Sequence, residues 1–121
     1  MNRCVICGNP GDTHHIIHKD EGGLEFPMNR IILCDRHHRG LSGPHRNPHV
    51  DMKYKRELQE HLMNLFPEDF YREEEIRQAA QLSNSLTRTL VKTLKIYKEG
   101  YRKVDIIDFL MSGHLILEDE F

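Results

Sequence analysis

The chain has 121 residues, 30% of them charged and 38% hydrophobic, with no tryptophan and a formal net charge of −2. That length allows one domain, or a small module with an annex, and so little apolar mass makes a marginal core that a bound metal would reinforce. The charge excludes a polycation, and no apolar run approaches the roughly eighteen residues of a membrane span. Three cysteines without a signal peptide do not read as a secreted disulfide framework, so the thiols are expected as metal ligands in a reducing cytoplasm.

In chain order, residues 1–48 form the first unit, rich in Gly, Pro, His and Cys. Two β-like runs, His15-Ile16-Ile17 and Arg30-Ile31-Ile32-Leu33, flank a loop holding Gly22-Gly23 and Pro27, which predicts a long-looped hairpin. Cys34 to about Gly40 reads as a short helix ending at glycine. Residues 49–66 carry Val50, Tyr54, Leu58, Leu62 and Leu65 at helical spacing, with Asn47 or Pro48 to open the helix and Pro67 to close it. Residues 67–121 are expected to be mostly helical. Glu73-Glu74-Glu75 suit a helix N-terminus, and a break at Leu82-Ser83-Asn84-Ser85 precedes a helix to about Lys98, stopped by Gly100. One more helix spans roughly Lys103–Met111 and stops at Gly113. Leu115-Ile116-Leu117 reads as a strand or a dimer contact, and Glu118-Asp119-Glu120 gather negative charge at the end. The predicted class is α+β.

The chemistry lies in the first unit. Cys4-x-x-Cys7 and Cys34-x-x-His37 supply three sulfurs and one imidazole, a ligand set that tetrahedral zinc favours. Each pair spans one turn, so little ordering is needed to chelate. A closed four-ligand site leaves no room for substrate, so this zinc is expected to be structural.

Cys4-x-x-Cys7-Gly8, His14-His15-Ile16-Ile17, Gly22-Gly23, Pro27-x-Asn29 and Leu33-Cys34-x-x-His37-His38, in that order, resemble the HNH endonuclease family in its zinc-stapled form. The likeness covers about the first third of the chain. It implies a ββα-metal (HNH/His-Me finger) module that holds one divalent ion and hydrolyses DNA phosphodiester bonds, nicking one strand or cutting both as a homodimer. Carried over by position, His15 would be the general base, His14 and His38 would hold the catalytic ion, and Asn29 would orient the base through its loop. Adjacent strand residues point to opposite faces, so His14 and His15 cannot share one task. Two imidazoles suit Mn²⁺, Ni²⁺, Co²⁺ or Zn²⁺ better than Mg²⁺. His45 follows closely enough to be an auxiliary ligand or a phosphate contact, while His18 and His49 read as polar loop residues. The sequence departs from the commonest family pattern at His37, where Cys is usual, and at His14, where Asp is usual.

Residues 75–90 resemble a helix-turn-helix, with Ala79 or Ala80 at the crossing, a turn at Leu82-Ser83, and Leu86 and Leu90 facing inward. Ser85, Thr87, Arg88 and Lys92 would then face DNA, with Lys95 and, in the first unit, Arg39 as further contacts. Residues 88–103 hold Arg88, Lys92, Lys95, Lys98, Arg102 and Lys103 against Glu99 alone, a local basic face despite the net charge. The arrangement resembles small phage or mobile-element proteins that join an HNH module to a helical tail, which implies a bacterial or phage-infected cytoplasm and no membrane partner. The alternative expectation is a catalytically inactive zinc-binding DNA-binding, regulatory or inhibitor protein of phage origin.

Overall fold

The structure is a computed structural model in which residues 2–117 are described; the acidic Glu118-Asp119-Glu120 lies outside them. It is mixed α and β with two small sheets. Strands β1 (Asp12–His15) and β2 (Arg30–Leu33) pair antiparallel, with Thr13 opposite Ile32 and His14 opposite Ile31. The first strand therefore ends where the sequence suggested it would begin. Ile16 and Ile17 leave the ladder because Asn29 takes their backbone. Its carbonyl accepts from the Ile16 N–H at 2.8 Å, and its side-chain oxygen accepts from the Ile17 N–H at 2.8 Å. Both isoleucines turn inward, at 5% and 0% exposure.

Helix α1 (Asp35–Arg39) follows β2 directly, with Cys34 at its N-cap. Helix α2 (Pro48–Leu65) opens on Asn47, whose side-chain oxygen accepts from the N–H groups of His49 and Val50, and Pro48 supplies a helix-ready φ. Its inward stripe is Tyr54, Leu58 and Leu62; burying each leucine stabilises the fold by about 1.5–3 kcal/mol.

Beyond α2 come β3 (Phe70–Tyr71), α3 (Glu73–Ala80), α4 (Asn84–Thr93), β4 (Ile96–Tyr97), β5 (Gly100–Arg102) and α5 (Lys103–Leu110). The expected helix to Lys98 stops at Thr93, and the next residues form a tight hairpin in a three-stranded sheet ordered β3-β5-β4. Gly100 serves that hairpin, not a helix end. Its φ of +128° is costly for a side chain, and an added Cβ would meet the Tyr71 carbonyl oxygen at 2.5 Å. Between α3 and α4, Gln81 takes the left-handed φ of 55° usually given to glycine, and Ser83 caps α4 by accepting from the Leu86 N–H. Ala80 is buried at that junction. Residues 115–117 form neither strand nor helix. Instead the Gln59 amide clasps Ile116, donating to its carbonyl at 2.8 Å and accepting from its N–H at 2.7 Å.

One continuous hydrophobic cluster runs from Cys4, Ile16 and Ile17 through Leu58 and Leu62 to Leu90, Ile106 and Met111. No helix among the described residues is long and apolar enough to cross a membrane.

Candidate metal centres and the adjoining cleft

Two groups of ligand-type side chains stand on the first hairpin and helix. The Cys4–Cys7 turn closes through the Gly8 N–H donating to the Cys4 carbonyl at 2.9 Å, and the Cys34–His37 turn is the start of α1. Together they bring Cys7 Sγ to 3.7 Å from Cys34 Sγ, and His37 Nδ1 to 3.2 Å from Cys34 Sγ and 3.6 Å from Cys4 Sγ. A tetrahedral zinc with ordinary bond lengths separates its sulfurs by about 3.8 Å and a sulfur from a nitrogen by about 3.6 Å. The four residues therefore fit zinc with little movement, and no disulfide joins the thiols. Burial opposes ionisation of Cys4. The backbone N–H groups of Cys34, Cys7 and Ile6 outweigh it and bring the thiol down to about 6, close to the thiolate that zinc needs.

The second group is imidazole. His14 Nδ1 lies 3.1 Å and His45 Nε2 2.9 Å from the same atom, His38 Nε2. One ring nitrogen has either one proton or one lone pair, so it cannot make two good N–H···N bonds at once. A divalent ion about 2.1 Å from each nitrogen would satisfy all three. His14 Nε2 is buried without a hydrogen bond, and buried His38 Nδ1 has Asp12 Oδ1 3.4 Å away without hydrogen-bond alignment. Burial first, then the neighbouring imidazoles of His38, His18 and His45, hold His14 down at about 3. His38 is lowered in the same way by burial and by Arg39. Both are thus the neutral imidazoles that ligate metals.

His45, expected only as an auxiliary ligand, is a full member of this cluster, and His18, expected as a polar loop residue, borders it. His18 packs 5.2 Å from the His14 ring and 5.0 Å from His45, and its Nε2 is 2.8 Å from Asp51 Oδ1. His14, His18 and Asp51 form a further group with ligand-like spacing. Lys55, almost buried, donates at 2.8 Å to both Asp51 and Glu21, and the pair of carboxylates raises its pKa against the effect of burial. Asp51 and Lys55 arrive on α2, 33 and 34 residues from their partners, so no local motif marks them.

His15 lines the same cleft of about 370 Å³ as His14, His18, His38 and His45, with Lys19 and Asp20 at its edge. Its Nε2 comes within 2.7 Å of Glu25, without hydrogen-bond alignment. Asn29 is wholly buried. Besides accepting from Ile17, it donates its amide to the Ile17 carbonyl at 3.2 Å and to the Leu24 carbonyl at 2.9 Å, tying both ends of the loop. Arg39 is exposed and shared between Asp12 and Asp35. Arg88, Lys92 and Lys95 are exposed at a different place, on and after α4. Thr87 is not available to a ligand: it is 2% exposed and its hydroxyl donates to the Ser83 carbonyl.

Against known proteins, no family model, no curated protein and no solved structure matches the chain.

Proposed function

We propose that the protein is an HNH-type endonuclease that hydrolyses DNA phosphodiester bonds, with a zinc-stapled ββα-metal module as its catalytic part. The observation that carries this reading is the three-imidazole cluster of His14, His38 and His45 in one cleft with His15, beside a separate Cys₃His group. Zinc in that second group would hold the fold. In the cleft, His14 and His38 would hold the working ion, with His45 as a third ligand. Such an ion would supply Lewis-acid stabilisation of the departing 3′ oxygen.

The chain's own residues do the rest. His15 lies in the cleft with a partly accessible ring and takes the proton from the attacking water. Glu25 at 2.7 Å limits how that ring can turn. Asn29 holds Ile16 and Ile17 by their backbone, and so fixes the direction in which the preceding His15 leaves the strand. Arg39, Arg88, Lys92 and Lys95 supply phosphate contacts. One cleft per chain severs one strand, so double-strand cutting needs a homodimer or two encounters. The resemblance to phage and mobile-element proteins suits a cytoplasmic setting.

Supercoiled plasmid incubated with the zinc-loaded protein and Mn²⁺, Ni²⁺ or Mg²⁺ should be nicked. His15→Ala should leave it intact while binding the divalent ion as tightly by calorimetry. Parent protein that leaves the plasmid uncut with every one of these ions would sink the reading.

A further inference from the structure

His14 has two ring nitrogens, and the three-imidazole group uses only one of them. Its Nδ1 faces His38, while Nε2 is buried and meets no hydrogen-bond partner among the described residues. An imidazole that binds an ion through one nitrogen normally donates its other N–H to a carboxylate, a carbonyl or water. On a ring only 2% exposed, an N–H with no protein acceptor is a standing cost.

His18 and Asp51 stand beside it. The ligand atoms of His14, His18 and Asp51 lie within 4.8 Å of one another, and His18 Nε2 is 2.8 Å from Asp51 Oδ1. Two atoms each about 2.1 Å from one ion, at a right angle, stand about 3 Å apart. That pair therefore already has the spacing of neighbouring ligands. The surroundings hold the carboxylate in place. Asp51 Oδ2 accepts from Lys55 Nζ at 2.8 Å, which leaves Oδ1 toward His18. Lys55 also donates to Glu21 Oε2 at 2.8 Å, and Glu21 Oε1 accepts from the His18 N–H at 2.9 Å. His18 Nδ1 lies 3.7 Å from the same Glu21 oxygen, close to the second contact that a ligating imidazole makes. Two carboxylates against one ammonium leave this corner negative, whereas the neutral rings of His14, His38 and His45 bring no charge of their own.

We propose that His14, His18 and Asp51 hold a second divalent transition-metal ion, beside the one held by His38 and His45, with the His14 ring shared between them. Two imidazoles and one carboxylate are a ligand set for Zn²⁺, Co²⁺, Fe²⁺ or Mn²⁺. His14 would give one nitrogen to each ion, and its remaining ring proton would pass to water as the second ion binds. A dication on the first nitrogen favours that loss. The two ions would stand roughly 6 Å apart, two metal–nitrogen bonds plus the width of the ring. Three protein ligands leave the second ion an open position, and His14 and His18 both line the cleft, so that position suits an anionic oxygen such as a phosphate's. The nuclease reading needs only one ion in the cleft, and this inference goes beyond it.

The test counts zinc plus cobalt per chain by atomic emission, after equilibrium dialysis of the full zinc-purified chain at a Co²⁺ concentration that just saturates the parent. The parent should hold three ions, one in the Cys₃His group and two in the cleft. His18→Ala and Asp51→Asn should each hold two, as should His45→Ala, and His18→Ala combined with His45→Ala should hold one. His18→Ala leaves Asp51, Lys55 and Glu21 paired, so its circular dichroism should match the parent's; Asp51→Asn, nearly identical in shape, is the second measurement should His18→Ala fail to fold. A parent that holds two ions or fewer overturns the inference, and so does a folded His18→Ala or Asp51→Asn variant that still holds three. Ion counting does not depend on cleavage, so the two readings fail separately. Three ions without plasmid nicking would keep this site and remove the nuclease, while nicking with two ions would do the reverse.

Discussion

Asn29 shows how much one side chain can carry. It is fully buried and makes three hydrogen bonds that close the β1–β2 loop. Asn29→Ala should lose about 2–4 kcal/mol, because two carbonyls and an N–H are left buried without it; urea unfolding measures this. Asn29→Asp should be worse, since a carboxylate oxygen would face the Ile17 and Leu24 carbonyls. His14 gives the fold a pH dependence. Held at about 3 against an ordinary 6.5, it stays neutral in the native state while the unfolded chain protonates. Between those values the unfolded chain binds more protons, so stability is complete above about 6.5 and declines as pH falls toward 3. Melting temperature should drop from pH 7 to pH 5, and His14→Gln should flatten that slope. The spacing of Cys4, Cys7, Cys34, His37, His14 and His38 was legible in the sequence because each sits on a short turn, strand or helix. His18 with Asp51 was not, since its partner arrives from another element and only the fold brings them together.

Among the elements, the helices were readable from cap and period. Asn47-Pro48 opens α2, Glu73 to Glu75 begin α3, and α5 starts at Lys103. The β4–β5 hairpin was not, because strands of two and three residues are too short to show a period, and their lysines continue the helical-looking run from α4. The glycine that reads as a helix stop is a hairpin residue under the Tyr71 carbonyl. Gly100→Ala should therefore cost about 1–3 kcal/mol, more than a helix-stopping glycine would. Ser83→Ala removes the cap of α4 and should cost about 1 kcal/mol. Both are read from denaturant midpoints.

At the scale of the molecule, the three segments marked out by the sequence share one hydrophobic cluster. Calorimetry should therefore record a single transition, and removing zinc from the Cys₃His group should move that whole transition down, not melt the first unit alone. A two-step melt would contradict the shared core.

The lattice of His18, Asp51, Lys55 and Glu21 joins the cleft to α2, while Glu21 and Gly22 are fastened to the far end of the chain. No loose tether separates the histidine cleft from the segment that carries Ser112 and His114. Linkage is reciprocal: whatever factor an ion in the cleft adds to the docking of that segment, the docking must add to the ion's affinity. Cutting the contacts of Ser112 and His114 would then be felt as a changed ion affinity in a cleft that neither residue lines.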